Sequence, residues 1–208
     1  MNIYLVFKRF MDIVLSLLAL PIVLVVILVF GIMIKLEDKG PIIYKSKRVG
    51  KKGEIFNMFK LRSMYINAPD IRLEDGATYN SESDSRVTRI GKFIRKTSID
   101  ELPQVVNVLI GNMSIIGPRP STPYWLSICS EEEKEILTIS PGLTGYNQAY
   151  FRNSISDAEK YRNDLIYVMN MSIIFDLKIF LKTIAVVLTR KGVNRNNEIY
   201  IKPRDNKF

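Results

Sequence analysis

Residues 13–34 read IVLSLLALPIVLVVILVFGIMI, 22 positions without a charge. About 20 consecutive apolar residues suffice for a helix to cross the hydrocarbon core of a bilayer. A secretory signal has a shorter apolar core, roughly 7–15 residues, with a small-residue cleavage site after it. This run has neither feature, so it is expected to remain in the mature protein as a membrane element. The competing reading is a buried helix of a soluble core, and the length and uniformity of the run weigh against it.

The flanks bear on how the run sits. Lys8 and Arg9 precede it, and Lys35, Lys39, Lys45, Lys47, Arg48, Lys51 and Lys52 follow it. Positive residues beside membrane segments favour the cytoplasmic side. With both flanks basic, one way to obey that rule is to enter and leave on the same face. Pro21 lies near the middle of the run and has no backbone N–H, so it can kink a helix there. Ser16 can satisfy some of the freed backbone groups where geometry allows. Asp12 needs a cationic partner such as Arg9, or exposure to the headgroups. From these residues alone, a re-entrant hairpin and a plain span both stay open. In either case the heavier positive flank places the following domain in the cytoplasm.

The 208-residue chain is long enough for one domain plus an appendage. Lys and Arg outnumber Asp and Glu by 30 to 21, a net charge of +9, which points to an anionic partner. Nucleic acid, acidic lipid and phosphorylated substrates all qualify. The single cysteine, Cys129, excludes an internal disulfide and reads as a small apolar residue. There is no histidine, which removes His triads, Cys–His dyads and His metal sites. Acid–base or covalent chemistry must fall mainly to Asp, Glu, Ser, Thr, Tyr or Lys.

Beyond Gly40-Pro41 the pattern predicts an α+β domain, mostly helical, with one short β-hairpin. PIIYKSKRVGKKGEIFNMFKLRSM (41–64) reads as two strands around a GKKG turn. Residues 67–85 are a polar surface loop. Residues 85–112 hold two helices flanking TSIDELPQ (97–104), and GPRP (117–120) cannot be helix interior. An acidic helix begins near Ser130 and stops at Pro141-Gly142, and another covers 156–169. The last helix, 172–192, is long and apolar; it either packs on the core or lies in the membrane interface with its lysines at the headgroups. The expected division is a membrane helix over 1–39, a catalytic domain over 40–170, and an interfacial helix with a polar tail over 171–208.

Two features carry chemistry. The first is a set of compact cationic clusters: Lys60/Arg62, Arg86/Arg89, Arg95/Lys96, Arg119 and Arg152. The guanidinium fork suits phosphate, and the prolines around Arg119 stiffen the loop that presents it. Solvated surface charge accounts for most other Lys and Arg. The second is the pair Asp100-Glu101. If Ser98 is an N-cap, Ser98-x-x-Glu101 is a capping box and both acids sit in a first helical turn. Alternatively the regular helix starts near Leu102, with Pro103 in its first turn. Adjacent residues on a helix diverge, so the pair suits two separate tasks better than one shared proton. Helix capping alone and an anion or metal site both remain readings of the pair.

An ordered set of segments then resembles the bacterial sugar transferases, monotopic polyprenyl-phosphate sugar-1-phosphate transferases. It comprises KRFMDIVLSLLALP (8–21), GPIIYKSKRVGKKGEIFNMFKLRSM (40–64), SRVTRIGKFIRKTSIDELPQVVNVLIGNMSIIGPRP (85–120), SPGLTGYNQAYFRN (140–153) and YVMNMSIIFDLKIFLKT (167–183). DELPQ followed by GPRP at this distance is the specific part.

The resemblance implies transfer of a sugar 1-phosphate from a UDP-sugar to polyprenyl (undecaprenyl) phosphate with release of UMP. Asp100 would be the nucleophile, forming a covalent phospho-sugar intermediate. Glu101 would help activate the lipid phosphate or, with Asp100, hold Mg²⁺. Arg119, Lys60, Arg62, Arg86, Arg95 and Arg152 would bind substrate phosphate. The resemblance also implies a re-entrant membrane helix broken at Pro21, at the bacterial inner membrane with the catalytic domain facing the cytoplasm. The implied partners are the two substrates, the membrane and downstream glycosyltransferases of a glycan assembly pathway, with no nucleic acid. Departures are Asn112, where the family commonly has Asp, and YNQAYFRN after PGLTG, which bear on the donor rather than the reaction class. The chain looks like a small form, without the additional N-terminal membrane helices of large members. The rival from another class is a membrane-anchored protein that binds anions through its basic surface; it leaves GPRP unexplained.

Overall fold

The structure is a computed structural model, and it describes residues 3–71, 79, 81, 83–151 and 155–189. The apolar run forms part of one helix, α1 (Ile3–Glu37), 35 residues long with Pro21 inside it. At 1.5 Å per residue such a helix is about 52 Å long. Its buried positions are Asp12, Ser16, Val23, Gly31 and Ile34, a narrow stripe at spacings of four, seven, eight and three. The remaining surface is open and apolar, including Leu18, Ile22, Leu24, Val25 and Leu28. Two polar residues face the protein and the aliphatic residues face outward. That reverses the pattern of a helix lying on a soluble core. The helix is long and apolar enough to cross a membrane, and few of its apolar residues are covered.

Both ends of α1 are tied to the rest of the chain. Near its start, Tyr4 Oη and Lys8 Nζ donate to Asp176, at 2.8 and 2.5 Å. Arg9 donates to the carbonyls of Val108 and Leu109, and Asp12 accepts from Ile115 N and Ser114 Oγ. Near its end, Phe30 stacks on Phe93 and Ile34 packs with Leu61 and Ile94. Glu37 accepts the backbone N–H groups of Arg89 and Ile90.

The predicted hairpin is present. β1 (Ile43–Val49) and β2 (Ile55–Leu61) pair antiparallel, with Ile43 opposite Leu61 and Val49 opposite Ile55. The GKKG turn uses positive φ at Lys52 and Gly53. Alternation along β2 points Phe56 and Met58 at Val108 and Met113, while Leu61 faces Ile34 and Ile94.

The helices follow in the expected order. α2 (Arg89–Lys96) is capped by Thr88, whose hydroxyl accepts from Gly91 N at 2.9 Å. A 3₁₀ turn (Ile99–Glu101) leads to α3 (Gln104–Ile110), which ends at Gly111 with φ 98°. α4 (Pro123–Leu126) carries Trp125, stacked on Tyr161. A second 3₁₀ segment (Glu133–Thr138) occupies the place of the predicted acidic helix. α5 (Tyr146–Tyr150) precedes α6 (Asp157–Met169), which opens on a capping box between Ser156 and Glu159. α7 (Ile173–Thr189) closes the described chain.

The short helices α4 and α5 and a second sheet were not expected. β3 (Ser114–Ile116) and β4 (Gly142–Thr144) form a short parallel pair. Each is only three residues long, too short for a periodic signal. The pair connects the apolar cluster of Ile116, Ile139, Ala149, Tyr167 and Ile179 to the GPRP loop.

Candidate active site

The Ser98 capping box is not formed. Ser98 adopts the left-handed conformation, φ 58° and ψ 16°, and makes no side-chain cap. It reverses the chain between α2 and the 3₁₀ turn, and Pro103 occupies the N-cap position of α3. Proline lacks the N–H that a helix start leaves unpaired anyway, so its place there is unstrained. Freed from capping, Glu101 takes other partners.

Three separate elements supply those partners. Lys60 follows Phe56 and Met58 on one face of β2, and its Nζ reaches Glu101 Oε1 at 2.6 Å. Asn107 sets that strand's position. Its Oδ1 accepts from Phe59 N and its Nδ2 donates to Asn57 O, so a wholly buried amide clamps β2 to α3. Arg119 Nη2 reaches the same Oε1 at 3.1 Å. Its loop is held at both ends: Gly117 N donates to Thr144 O, Gly142 N to Pro118 O, and Val49 N to Ser121 O. A Cβ on Gly117 would stand 2.7 Å from Ser140 O, so glycine is required for this approach.

The two carboxylates have opposite electrostatics. Asp100 is 9% exposed, and burial raises its pKa against the pull of Lys60, Arg95 and Arg119; the neighbouring Glu101 charge raises it further. Burial pushes Glu101 upward too, but Lys60 and Arg119 outweigh it and hold the carboxyl well below the usual range. Adjacent acids with divergent environments are suited to different chemical roles. Arg119 is itself raised by Glu101, yet its side chain is 51% exposed and can meet a ligand. Burial lowers Arg95, Asp100 opposes that effect, and its Nε donates to Ser63 Oγ.

The donor set fits a magnesium ion. Both cations engage Oε1 of Glu101, and among the described residues no donor reaches Oε2. Mg²⁺ is commonly held by one or two carboxylates with water and substrate phosphates completing the octahedron. No cluster of three potential protein ligands occurs among the described residues. Asp100 and Glu101 are the two carboxylates that would hold such an ion.

Not all expected cations join this group. Arg62 Nε donates to Pro41 O, and its two terminal nitrogens are taken by the carboxylate and carbonyl of Asp38. Arg86 forms a buried pair with Asp84 and donates to the carbonyls of Pro69 and Tyr79. Both guanidinium groups fasten loops, and neither bonds the Asp100–Glu101 pair. Arg152 lies outside the described residues. Asn112 lies half-buried in the turn after α3.

Comparison with known proteins gives the family. Residues 3–190 match the family model described as bacterial sugar transferase. The chain belongs to the bacterial sugar transferase family. Among similar members is a galactosyl transferase of Streptococcus agalactiae, 41% identical over 197 residues, covering 91% of this chain and 44% of that protein. A UDP-N-acetylgalactosamine-undecaprenyl-phosphate N-acetylgalactosaminephosphotransferase of Aeromonas hydrophila is 38% identical, covering 91% of this chain and 45% of its own. An uncharacterized sugar transferase of Bacillus subtilis, EpsL, is 36% identical over 93% of both chains. The chain thus spans less than half of the first two relatives and nearly all of the third.

Sequence reasoning also missed two buried polar residues. Asn107 is one; a lone amide inside the apolar stretch VVNVLI was the available signal. Asp164 is another. It is 4% exposed, accepts from Asn147 Nδ2 at 2.8 Å, and burial raises its pKa to about 7 against Asn147, Lys160 and Arg119.

Proposed function

We propose that this protein transfers a sugar 1-phosphate from a UDP-sugar to a membrane polyprenyl phosphate. The observation that carries the reading is the split pair: a buried Asp100 next to Lys60, Arg95 and Arg119, and a Glu101 anchored by two of those cations. Phosphoryl transfer needs positioning and charge neutralisation above all, and this cluster supplies both. The name of the Aeromonas relative supports the donor and acceptor classes.

In the first step a carboxylate oxygen of Asp100 attacks the phosphorus that bears the sugar. An Asp–O–P bond forms, the diphosphate P–O bond breaks, and UMP leaves with the bonding electrons. In the second step an oxygen of polyprenyl phosphate attacks the same phosphorus and restores the Asp100 carboxylate. Arg119, Lys60 and Arg95 hold the phosphate oxygens, with Arg119 able to exchange Glu101 for substrate. Glu101 helps activate the incoming lipid phosphate by orienting Lys60 and Arg119, the two cations it holds. A bound Mg²⁺ on Asp100 and Glu101 would neutralise charge on the diphosphate.

The membrane reading follows from α1. Contacts at Arg9 and Asp12 and contacts at Ile34 and Glu37 reach one folded unit. That unit lies on one side of a bilayer, which favours re-entry at Pro21 over a span, with the basic flanks cytoplasmic at the inner membrane. α7 adds an open apolar stripe of Ile173, Ile174, Leu177, Leu181 and Leu188 that suits the interface.

The test is UMP release from a panel of UDP-sugars in membranes. Asp100→Asn should abolish it while membrane association and folding persist, and wild-type protein should yield an acid-labile phospho-sugar adduct on the peptide containing Asp100. Near-wild-type turnover by Asp100→Asn would overturn the covalent mechanism.

A further inference from the structure

DELPQ (100–104) ends on a residue that the mechanism above leaves unused. Gln104 is 3% exposed, and its Nε2 is a buried amide nitrogen without a hydrogen-bond partner among the described residues. Leaving such a donor unpaired is unfavourable, so it calls for an explanation. Asp100 poses the complementary problem. It is a buried carboxylate that accepts no hydrogen bond among the described residues, and Lys60, Arg95 and Arg119 act on it through their charge alone.

The backbone brings the two together. Leu102 and Pro103 keep right-handed helical angles, so the 3₁₀ turn of Asp100 runs into α3 without a break. Gln104 therefore stands one turn after Asp100, and residues four apart are neighbours on a helix. Helical side chains lean toward the N-terminus, which carries the Gln104 amide over the turn that holds Asp100. The other donors around the pair are committed: Lys60 and Arg119 to Glu101, Arg95 Nε to Ser63, and the Asn107 amide to β2. Of the buried side-chain nitrogens without a partner among the described residues, Gln104 Nε2 is the one on this segment.

We infer that Gln104 is a positioning residue for the nucleophile: its Nε2 donates to the Asp100 oxygen that does not attack, and so aims the other oxygen at phosphorus. The inference rests on the proposed function and deepens it. An entering diphosphate draws the cations to its own oxygens, and the buried Asp100 carboxylate is left with less support from their charge. A buried charge needs a donor, and the idle amide of Gln104 supplies it. The bond is made with substrate in place and not at rest, so it serves the chemical step rather than folding.

The experiment uses the full chain in phosphatidylethanolamine–phosphatidylglycerol nanodiscs. It supplies a UDP-sugar that the wild type turns over and no acceptor, so the UMP burst reads the first step alone. Gln104→Met keeps the length of the side chain and removes the donor, and Gln104→Leu repeats the test with a different shape. Both should lower the burst rate constant about 10–100-fold. The donor concentration for half-maximal rate should stay within about twofold of wild type, because Gln104 touches no phosphate. Their thermal unfolding midpoints should be unchanged or raised, since each variant removes an unpaired buried polar group. A burst rate within about twofold of wild type in both variants overturns the inference. So does a midpoint lowered by more than about 5 °C in both, which makes Gln104 a residue of the fold. A change confined to the half-maximal concentration overturns it too, by making Gln104 a substrate contact. Wild-type protein that releases no UMP from any UDP-sugar sinks the proposed function and this inference together; an active wild type with an indifferent Gln104 sinks the inference alone.

Discussion

Two buried aspartates share a raised pKa and little else. Asp100 sits on a short 3₁₀ turn among Lys60, Arg95 and Arg119. Asp164 sits on α6, bonded to Asn147, whose Oδ1 accepts from Asn163 and whose Nδ2 also reaches Lys160 O. Burial is the largest influence on both. Asp164 accepts from that one amide, and among the described residues no cation is bonded to it. The network around Asp100 stays open: Glu101 keeps an oxygen without a protein donor, and Arg119 keeps half its side chain in solvent. A perturbed carboxyl is therefore not by itself a sign of chemistry. The unspent charge around it separates a site from a structural network.

The largest expected effect sharpens that contrast. Asp100→Asn should lower turnover by about 10³-fold or more, whereas Asp164→Asn should keep it within about tenfold. Comparable losses in UMP release would erase the distinction. Next comes the clamp behind Lys60. Asn107→Ala removes a buried amide and leaves the Phe59 N–H and the Asn57 carbonyl without that partner, and should cost about 2 kcal/mol of stability. Thermal unfolding in detergent reads this directly, and an unchanged midpoint would show that β2 does not depend on Asn107. Arg119→Lys keeps the charge but loses the fork, so kcat/KM should fall about 10–100-fold with little change in stability. Equal kinetics for the two residues would mean that Arg119 acts only as a point charge.

The smallest effect concerns pH. Asp164 has a folded pKa of about 7, above that of an unfolded carboxyl. The stability it contributes is full below the unfolded range, near 4, and is lost as pH rises through about 7. Between about pH 6 and about pH 8 the loss should be on the order of 1–2 kcal/mol. Asp164→Asn should flatten that part of the stability profile. A slope that persists in the variant assigns the titration to another group.

Elements with long-range periodicity or strong punctuation were legible in the sequence. The apolar run, the GKKG hairpin and the helix at 156–169 all reappear, because composition and turn chemistry act locally. For the Asp100–Glu101 pair the sequence left two local geometries open, a capping box at Ser98 and a helix starting near Leu102 with Pro103 in its first turn, and the structure is close to the second. Ser98-x-x-Glu101 has the residues of a capping box, yet Lys60 and Arg119 compete for the glutamate and win. Arg62 and Arg86 show the same limit in reverse. Their clusters looked like phosphate sites because a sequence does not show that Asp38 and Asp84 sit beside them. The parallel pairing of Ser114–Ile116 with Gly142–Thr144 joins segments far apart in the chain and leaves no local trace.

The inward stripe of α1 has a practical consequence for handling the protein. Deleting the helix to obtain a water-soluble enzyme would remove the acceptor for Ile115 N, the guanidinium that closes the end of α3, and the carboxylate that caps α2. Substituting a generic hydrophobic anchor would have the same result. The segment that holds the protein at the lipid is also a strut of the folded domain, so truncation designs should retain Arg9, Asp12 and Glu37 and redesign the outward aliphatic surface instead.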